Sequence, residues 1–451
     1  MSTAYRLSVL TTALSCTVAT PVLAQDTTVP AEDELAAMRS QLQTLVTRID
    51  QLESELAETR AENAERDTVI VAQAQSAEST ANSTRADELA NSDGWSFKPR
   101  GRLMFDAGTL SAPETIGADD GFGNEVRRAR LGASGDIPGG FGYKFELDFA
   151  GNEVEAADAY LSYGDGPLEV IVGHHNNFQS LEELTSSLHT SFIERAAFTD
   201  AFGFERRIGI SASYEAGIVL AQVGAFTDNF ADTGTNNRGV DGRLVISPNT
   251  ENTQLHFGGS LHYNDLGEED AAAVRYRQRP LVHFTSTRFV DTDTLAANSE
   301  FGAGLEAAII SGRLHAVAEG YWQNVDLPLA DDNLTFFGGY AEVGYFLTKG
   351  DSRGYKGGKF DRTKPVDPVG KGGIGSVQLN LRYDHLDLSD AGIIGGIQNG
   401  YLASLVWKPT DYTLISLNYG RMDYENAVLP TQGDETDYGV DAFGVRAQVD
   451  F

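Results

Sequence analysis

Apolar and polar residues alternate strictly over the segment that closes on Phe451. Phe443, Val445, Ala447, Val449 and Phe451 share one face, and Gly444, Arg446, Gln448 and Asp450 share the other. A strand pleats with a period of two, so such a segment has one apolar and one wet side. The pattern recurs where Tyr143, Phe145, Leu147 and Phe149 alternate with Lys144, Glu146 and Asp148, and again where Val377, Leu379, Leu381 and Tyr383 alternate with Gln378, Asn380, Arg382 and Asp384. Similar segments fall at 95–108, 124–136, 154–163, 168–174, 206–214, 217–226, 238–248, 253–263, 299–310, 312–324, 334–347, 399–408 and 412–423, sixteen in all. Pro138-Gly139-Gly140, Asp165-Gly166-Pro167, Ser311-Gly312 and Pro409-Thr410-Asp411 supply tight turns between alternate pairs, and longer connections join the others. Any one strand of a soluble sandwich shows the same alternation. The repetition, and the asymmetry of short and long connections, point instead to an outer-membrane barrel with lipid outside and water inside. Closure of a bacterial single-chain barrel takes an even strand count. Arg275–Phe284 is therefore assigned to a long outer loop, 264–298, and the basic, glycine-rich insert 348–374 falls on the side of the short turns. The predicted fold is all-β, a 16-stranded antiparallel transmembrane β-barrel over 94–451, wide enough to hold an aqueous bore.

Ahead of the barrel the period changes. Leu35, Leu42, Ile49 and Leu56 repeat every seven residues, and Met38, Leu45 and Leu52 repeat beside them. This predicts an N-terminal α-helical coiled coil over 25–75, followed by a polar linker, 76–93. A seam so narrow needs another helix to cover it; the alternative is a helix lying on the barrel or on peptidoglycan. Residues 1–24 carry Arg6, an apolar stretch from Leu7 to Ala19, and Val22-Leu23-Ala24 before Gln25, the pattern of a signal peptide cleaved after Ala24. The one cysteine, Cys16, lies inside that segment, and Ala13 is a poor match to a lipid-anchor motif. No later run approaches about 18 consecutive apolar residues, which excludes a membrane protein built of helices. The formal charge of −31, from 34 basic and 65 acidic residues, argues against nucleic acid as a partner.

The chemistry-bearing segments face the expected bore. The loop 175–205 mixes apolar and charged residues, among them Glu182, Glu183, Ser186, Ser187 and Glu194. A loop with its own apolar anchors is expected to fold into the lumen and narrow it. Alternation points Arg128 and Arg130 inward beside lipid-facing Ala129 and Leu131, and Arg275, Arg277 and Arg279 project to one side if their loop is extended. Arginine offers fixed donors that suit anionic oxygens. Pairing of these arginines with Glu146, Asp148, Glu155 and Asp158 is the competing reading, and it neutralises them. No cofactor is implied, and no His/Asp/Glu cluster has metal-ligand spacing. His174-His175 is the nearest approach to a catalytic pair, but adjacent residues on a strand face opposite sides, and neither a Gly-x-Ser-x-Gly elbow nor a His-Glu-x-x-His motif is present.

Pro99-Arg100-Gly101-Arg102-Leu103, Arg127-Arg128-Ala129-Arg130-Leu131-Gly132 and Pro138–Phe145 resemble the phosphate-selective porin O and P family, as do Leu181–Ser187, Phe192–Ala196 and Arg206-Arg207-Ile208-Gly209. The resemblance implies a trimeric sixteen-stranded barrel in outer-membrane lipid, an inward-folded third loop, and rows of Arg and Lys that pass small solutes or inorganic anions such as phosphate. Arg128, Arg130, Lys144, Arg195, Arg206 and Arg207 then stand as attracting wall charges, with Glu183 and Glu194 tuning the constriction. Family members that select phosphate look lysine-rich just after the Ser-Ser pair, where this chain has Leu188 and His189. The expected function is a passive outer-membrane porin without catalytic residues. The alternative is a structural barrel tethered or assembled through its coiled coil, with little solute selectivity.

Overall fold

The computed structural model describes residues 94–451, apart from 115–116, 152, 230–236, 268–271 and 329–332. The signal segment, coiled coil and linker expected over 1–93 lie outside the described residues.

Sixteen strands close into one antiparallel barrel. They are β1 (Lys98–Ser111), β2 (Gly121–Ile137), β3 (Phe141–Asp148), β4 (Glu155–Asp165), β5 (Leu168–Asn176), β6 (Arg206–Ala216), β7 (Val219–Phe226) and β8 (Arg238–Ile246). The second half comprises β9 (Thr253–Asp265), β10 (Ser299–Ser311), β11 (Leu314–Asp326), β12 (Leu334–Phe346), β13 (Ser376–Asp390), β14 (Ile393–Thr410), β15 (Thr413–Glu425) and β16 (Tyr438–Asp450). Each pairs with its chain neighbours, and β1 meets β16 in the register Arg102↔Asp450 to Ser111↔Asp441, so no barrel edge is left open. Every alternating segment of the sequence is one of these strands.

The alternation sets the two faces. On β10, Phe301, Leu305 and Ile309 point out and are exposed, Leu305 by 63%, while Glu300, Glu306 and Ile310 point in and are buried. Phe141, Tyr163, Tyr214, Trp407, Tyr412 and Phe451 ring the end that carries the short turns, and Phe122, Phe149, Tyr263, Phe301 and Trp322 ring the other. An apolar band between two aromatic girdles is the outer surface that a bilayer requires.

The bore is not an open tube. The third outer loop, 177–205, enters it with two short helices, α1 (Leu181–Leu184) and α2 (Ala197–Ala201). The long outer loop forms two small two-stranded sheets and also turns inward, which the sequence reading of it as an external loop did not anticipate. Phe192, Ile193, Phe198, Tyr276, Val282 and Phe289 of these loops join inward residues of the barrel wall, including Tyr321, Tyr340, Leu386 and Met422, in one buried cluster. A glycine on the wall makes room for it. A β-carbon at Gly338 would lie 2.4 Å from the Phe198 side chain.

The insert between β12 and β13 lies at the short-turn end, as strand parity requires, and it too folds into the barrel. Its hairpin, Gly354–Lys356 paired with Lys359–Asp361, carries buried Phe360. Tyr355 Oη lies 2.7 Å from His256 Nδ1 on β9, and Arg243 on β8 donates to the Gly358 carbonyl at 2.8 Å. Arg353 donates to Ser191 Oγ (2.9 Å) and to the His189 carbonyl (2.5 Å) of the third loop, and its guanidinium stacks over Phe360. Loops from opposite ends of the barrel therefore meet and lock inside it.

Candidate functional site

Open space survives along the wall made by β1 to β8. An outer cavity of about 260 Å³ and a middle cavity of about 320 Å³ share Arg128, Arg130, Glu183, Arg195 and Arg206 as lining. The middle cavity shares Glu169, Ser213, Gln222, Gly357 and Lys359 with a third at the short-turn mouth. Side chains common to successive cavities define an off-centre path through the molecule, with the five shared outer residues at its neck.

Local backbone geometry sets the cations of the neck. Between β1 and β2 the register slips from Met104↔Arg128 to Phe105↔Val126, leaving Arg127 as an extra residue. Such a bulge re-aims side chains. Arg127 here turns into the lumen and forms a two-pronged pair with Glu194 (2.7 and 3.0 Å), while Arg128 and Arg130 line the neck. Alternation alone hides a bulge, and Arg127 was missed for that reason.

The third loop supplies the opposite side of the neck. Ser180 caps α1, and the Glu319 carboxylate accepts from the Leu181 and Glu182 amides at 2.8 Å each. Arg195 donates to the Glu182, Glu183 and Thr185 carbonyls and pairs with Glu183 at 3.3 Å, so it braces the loop as well as lining the neck. Arg382, fully buried between the rings of Phe192 and Tyr340, holds Glu182 and Glu342 at 2.7 Å each. Glu182 thus anchors the loop away from the path and does not line the constriction as expected. Ser186 and Ser187 do line the middle cavity, and Arg102 donates to Ser187 Oγ.

Most of the wall charge is paired. Arg130 binds Glu146 (3.1 Å) and Asp148 (2.7 Å), Arg102 also reaches Glu146 (3.3 Å), and Lys144 and Arg206 share Asp158 at 2.5 and 2.8 Å. Of the acids expected to neutralise the arginines, Glu146, Asp148 and Asp158 do so, and Glu155 lines the outer cavity. Arg128 forms no hydrogen bond or ion pair among the described residues, and its buried Nε has no partner. Burial pushes the Glu183 carboxyl above its ordinary range, against the pull of Arg195, Arg206 and Arg128. Burial also opposes the charge on Glu194, but Arg127, Arg446 and Arg128 outweigh it and hold that carboxyl below the usual range.

The other expected cations separate. Arg207 is off the path, with Nε and Nη1 buried and unpartnered among the described residues. The Arg275-to-Arg279 stretch is extended, but its inward residues are Tyr276 and Gln278. Arg275 and Arg277 therefore point away from the packed loop, the former bound to Asp291, and do not line the bore as expected. Arg279 reaches the outer cavity beside Asp200. His174 and His175 do not face opposite sides of the wall: His174 lines the outer cavity and His175 the middle one. Lys359 was missed because its insert was placed outside the bore.

An apolar outer wall, a closed ring of strands and a path lined by charged and polar side chains define an outer-membrane channel. The profile of the family described as phosphate-selective porin O and P matches residues 97–451, and the chain belongs to that family. It is 43% identical to an uncharacterized protein of Caulobacter vibrioides, an alignment covering 99% of this chain and 96% of the relative. Among solved structures it resembles OprB of Pseudomonas putida (TM-score 0.53, 13% identity, 81% of this chain and 96% of that one). It also resembles an anion-selective porin from Comamonas acidovorans (TM-score 0.52, 12% identity, 79% and 100%) and OmpT of Vibrio cholerae (TM-score 0.51, 11% identity, 80% and 99%). At these identities the likeness is one of fold.

Proposed function

We propose that the protein is a passive channel for small hydrophilic solutes in which anions are favoured at the neck. The observation that carries this reading is the meeting of Arg128, Arg130, Arg195 and Arg206 with Glu183 at the neck, where Arg128 alone of the four has no ion pair among the described residues. Arg128 makes no direct ion pair with an acid among the described residues, and a narrow, low-dielectric pore strengthens the field of such a group. The likeness to a porin described as anion-selective is consistent with it. Phosphate itself finds no special support, since the third loop carries Leu188 and His189 after its Ser-Ser pair. Assembly as a homotrimer, with the heptads of 25–75 contributing, belongs to the same proposal; an OmpT structure of the same fold is described in a trimer form. So does contact of that segment with peptidoglycan.

Reversal potentials across planar bilayers under a KCl gradient test the reading. The wild type is expected to prefer chloride, and Arg128→Gln to move the potential toward zero. Potassium preference in the wild type would refute it. The pH dependence follows from Glu183. Ionised, it subtracts one charge from the neck, and its raised carboxyl takes up a proton at a pH above the ordinary value of 4.5. Chloride preference is therefore expected to grow as pH falls through that region, and Glu183→Gln to show the larger preference already at neutral pH with the titration gone.

A further inference from the structure

The middle cavity differs from a simple anion sieve in two respects. First, its positive charge is nearly spent. Eight basic side chains line it, but six of them are bound to Glu146, Asp148, Asp158, Glu183 and Glu306. With Glu169 included, eight bases face six acids, a surplus of two. Arg128 and Lys359 are the two bases without an ion pair among the described residues, and they lie at opposite limits of the cavity. Arg128 belongs to the neck, and Lys359 to the boundary with the inner mouth. The position of Lys359 is fixed by the hairpin that bears it. Gly357 and Gly358 form its tight turn with φ of 56° and 69°, and a β-carbon at Gly358 would meet Leu220 at 2.7 Å.

Second, the cavity has an apolar side. Ile171 of β5 points inward between Ser162 of β4 and Ser211 of β6, a place where barrel interiors are polar, and Leu184 of α1 lines the same space. A multiply charged, strongly hydrated ion gains nothing from Ile171 or Leu184, and two isolated cations repay little of its lost hydration. A singly charged ion with an apolar body loses less water and gains from covering those side chains.

We propose that the middle cavity is a subsite for small organic monoanions, carboxylates whose charged end lies at Arg128 or Lys359 and whose apolar body lies against Ile171 and Leu184. This inference rests on the anion-favouring channel proposed above. The test measures chloride current through the purified full chain in planar bilayers at neutral pH, with butyrate, benzoate or orthophosphate added. Butyrate and benzoate are expected to block at concentrations about tenfold below orthophosphate, the ratio that one such contact is worth. Ile171→Ser should raise the blocking concentration of butyrate about fivefold, on the scale of losing one or two methylene contacts, and leave that of orthophosphate unchanged. Leu184→Ser gives the same comparison from the loop side if the strand variant fails to assemble. Lys359→Gln should weaken block by both classes. Stronger block by orthophosphate, or equal shifts for both classes in both serine variants, would overturn the inference. A channel that prefers chloride but is not blocked by carboxylates loses only this subsite, whereas one that prefers potassium loses the anion reading itself.

Discussion

Replacing the insert between β12 and β13 by a short turn is expected to raise single-channel conductance severalfold and to remove much of the ion preference. The barrel does not need the insert for closure. Phe337↔Asp387 to Phe346↔Gln378 pair without it, and the Leu347 amide already donates to the Val377 carbonyl at 2.8 Å, so the two strand ends are adjacent. The bore does need it. The hairpin fills space between His256, Arg243 and His315 and forms the limit of the path on the short-turn side. Its removal also takes away Arg353, which ties the third loop at His189 and Ser191, and Lys359, one of the two bases of the middle cavity without an ion pair among the described residues. Conductance traces check the first effect and reversal potentials the second; gel mobility before and after heating shows whether the barrel still forms. Unchanged conductance would mean that the constriction lies elsewhere.

Arg382→Leu is expected to have the largest effect on the bore's internal order. The guanidinium is fully buried, its two acid partners are buried with it, and aromatic rings cover both of its faces. Removing one member of such a group leaves Glu182 and Glu342 charged in a dry place, a cost of roughly 3–5 kcal/mol. The strands are held by closed backbone ladders, so the loss falls on the third loop. It should become cleavable by protease between α1 and α2, and the current should flicker between narrow and wide levels. Changing both acids to glutamine alongside Arg382→Leu should restore much of the protection, because polar amides replace the stranded charges. Full protection in the single variant would show that the apolar cluster around Phe192 and Phe198 holds the loop unaided.

The barrel was legible because each strand meets lipid on one side and water on the other, which writes a two-residue period into β1 to β16. Strand parity then placed an insert whose composition says nothing about its location. The lumen was less legible. Arg128, Arg130, Arg195, Arg206 and Glu183 meet at the neck, but Arg127 joins them only through a register slip that leaves no mark in the sequence. Glu182 and Glu183 are neighbours with opposite tasks, one locked to Arg382 and the other lining the neck, and only the return path of the loop separates them. Arg275 and Arg277 followed the right extended geometry to the wrong side, because Tyr276 and Gln278 are the residues packed inward. Inward folding of the insert rests on partners more than 90 residues away, such as Tyr355 with His256 and Arg353 with Ser191. Local patterns carry no trace of such contacts.

The lock between Arg353 and the third loop also bears on how the molecule is built. One partner enters from the cell-surface side and the other from the opposite compartment. They can meet only after the β5–β6 and β12–β13 hairpins have both crossed the bilayer and curled toward each other. Joining of the two loops is thus a late event in assembly, and a chain arrested before it would be a wide, leaky pore.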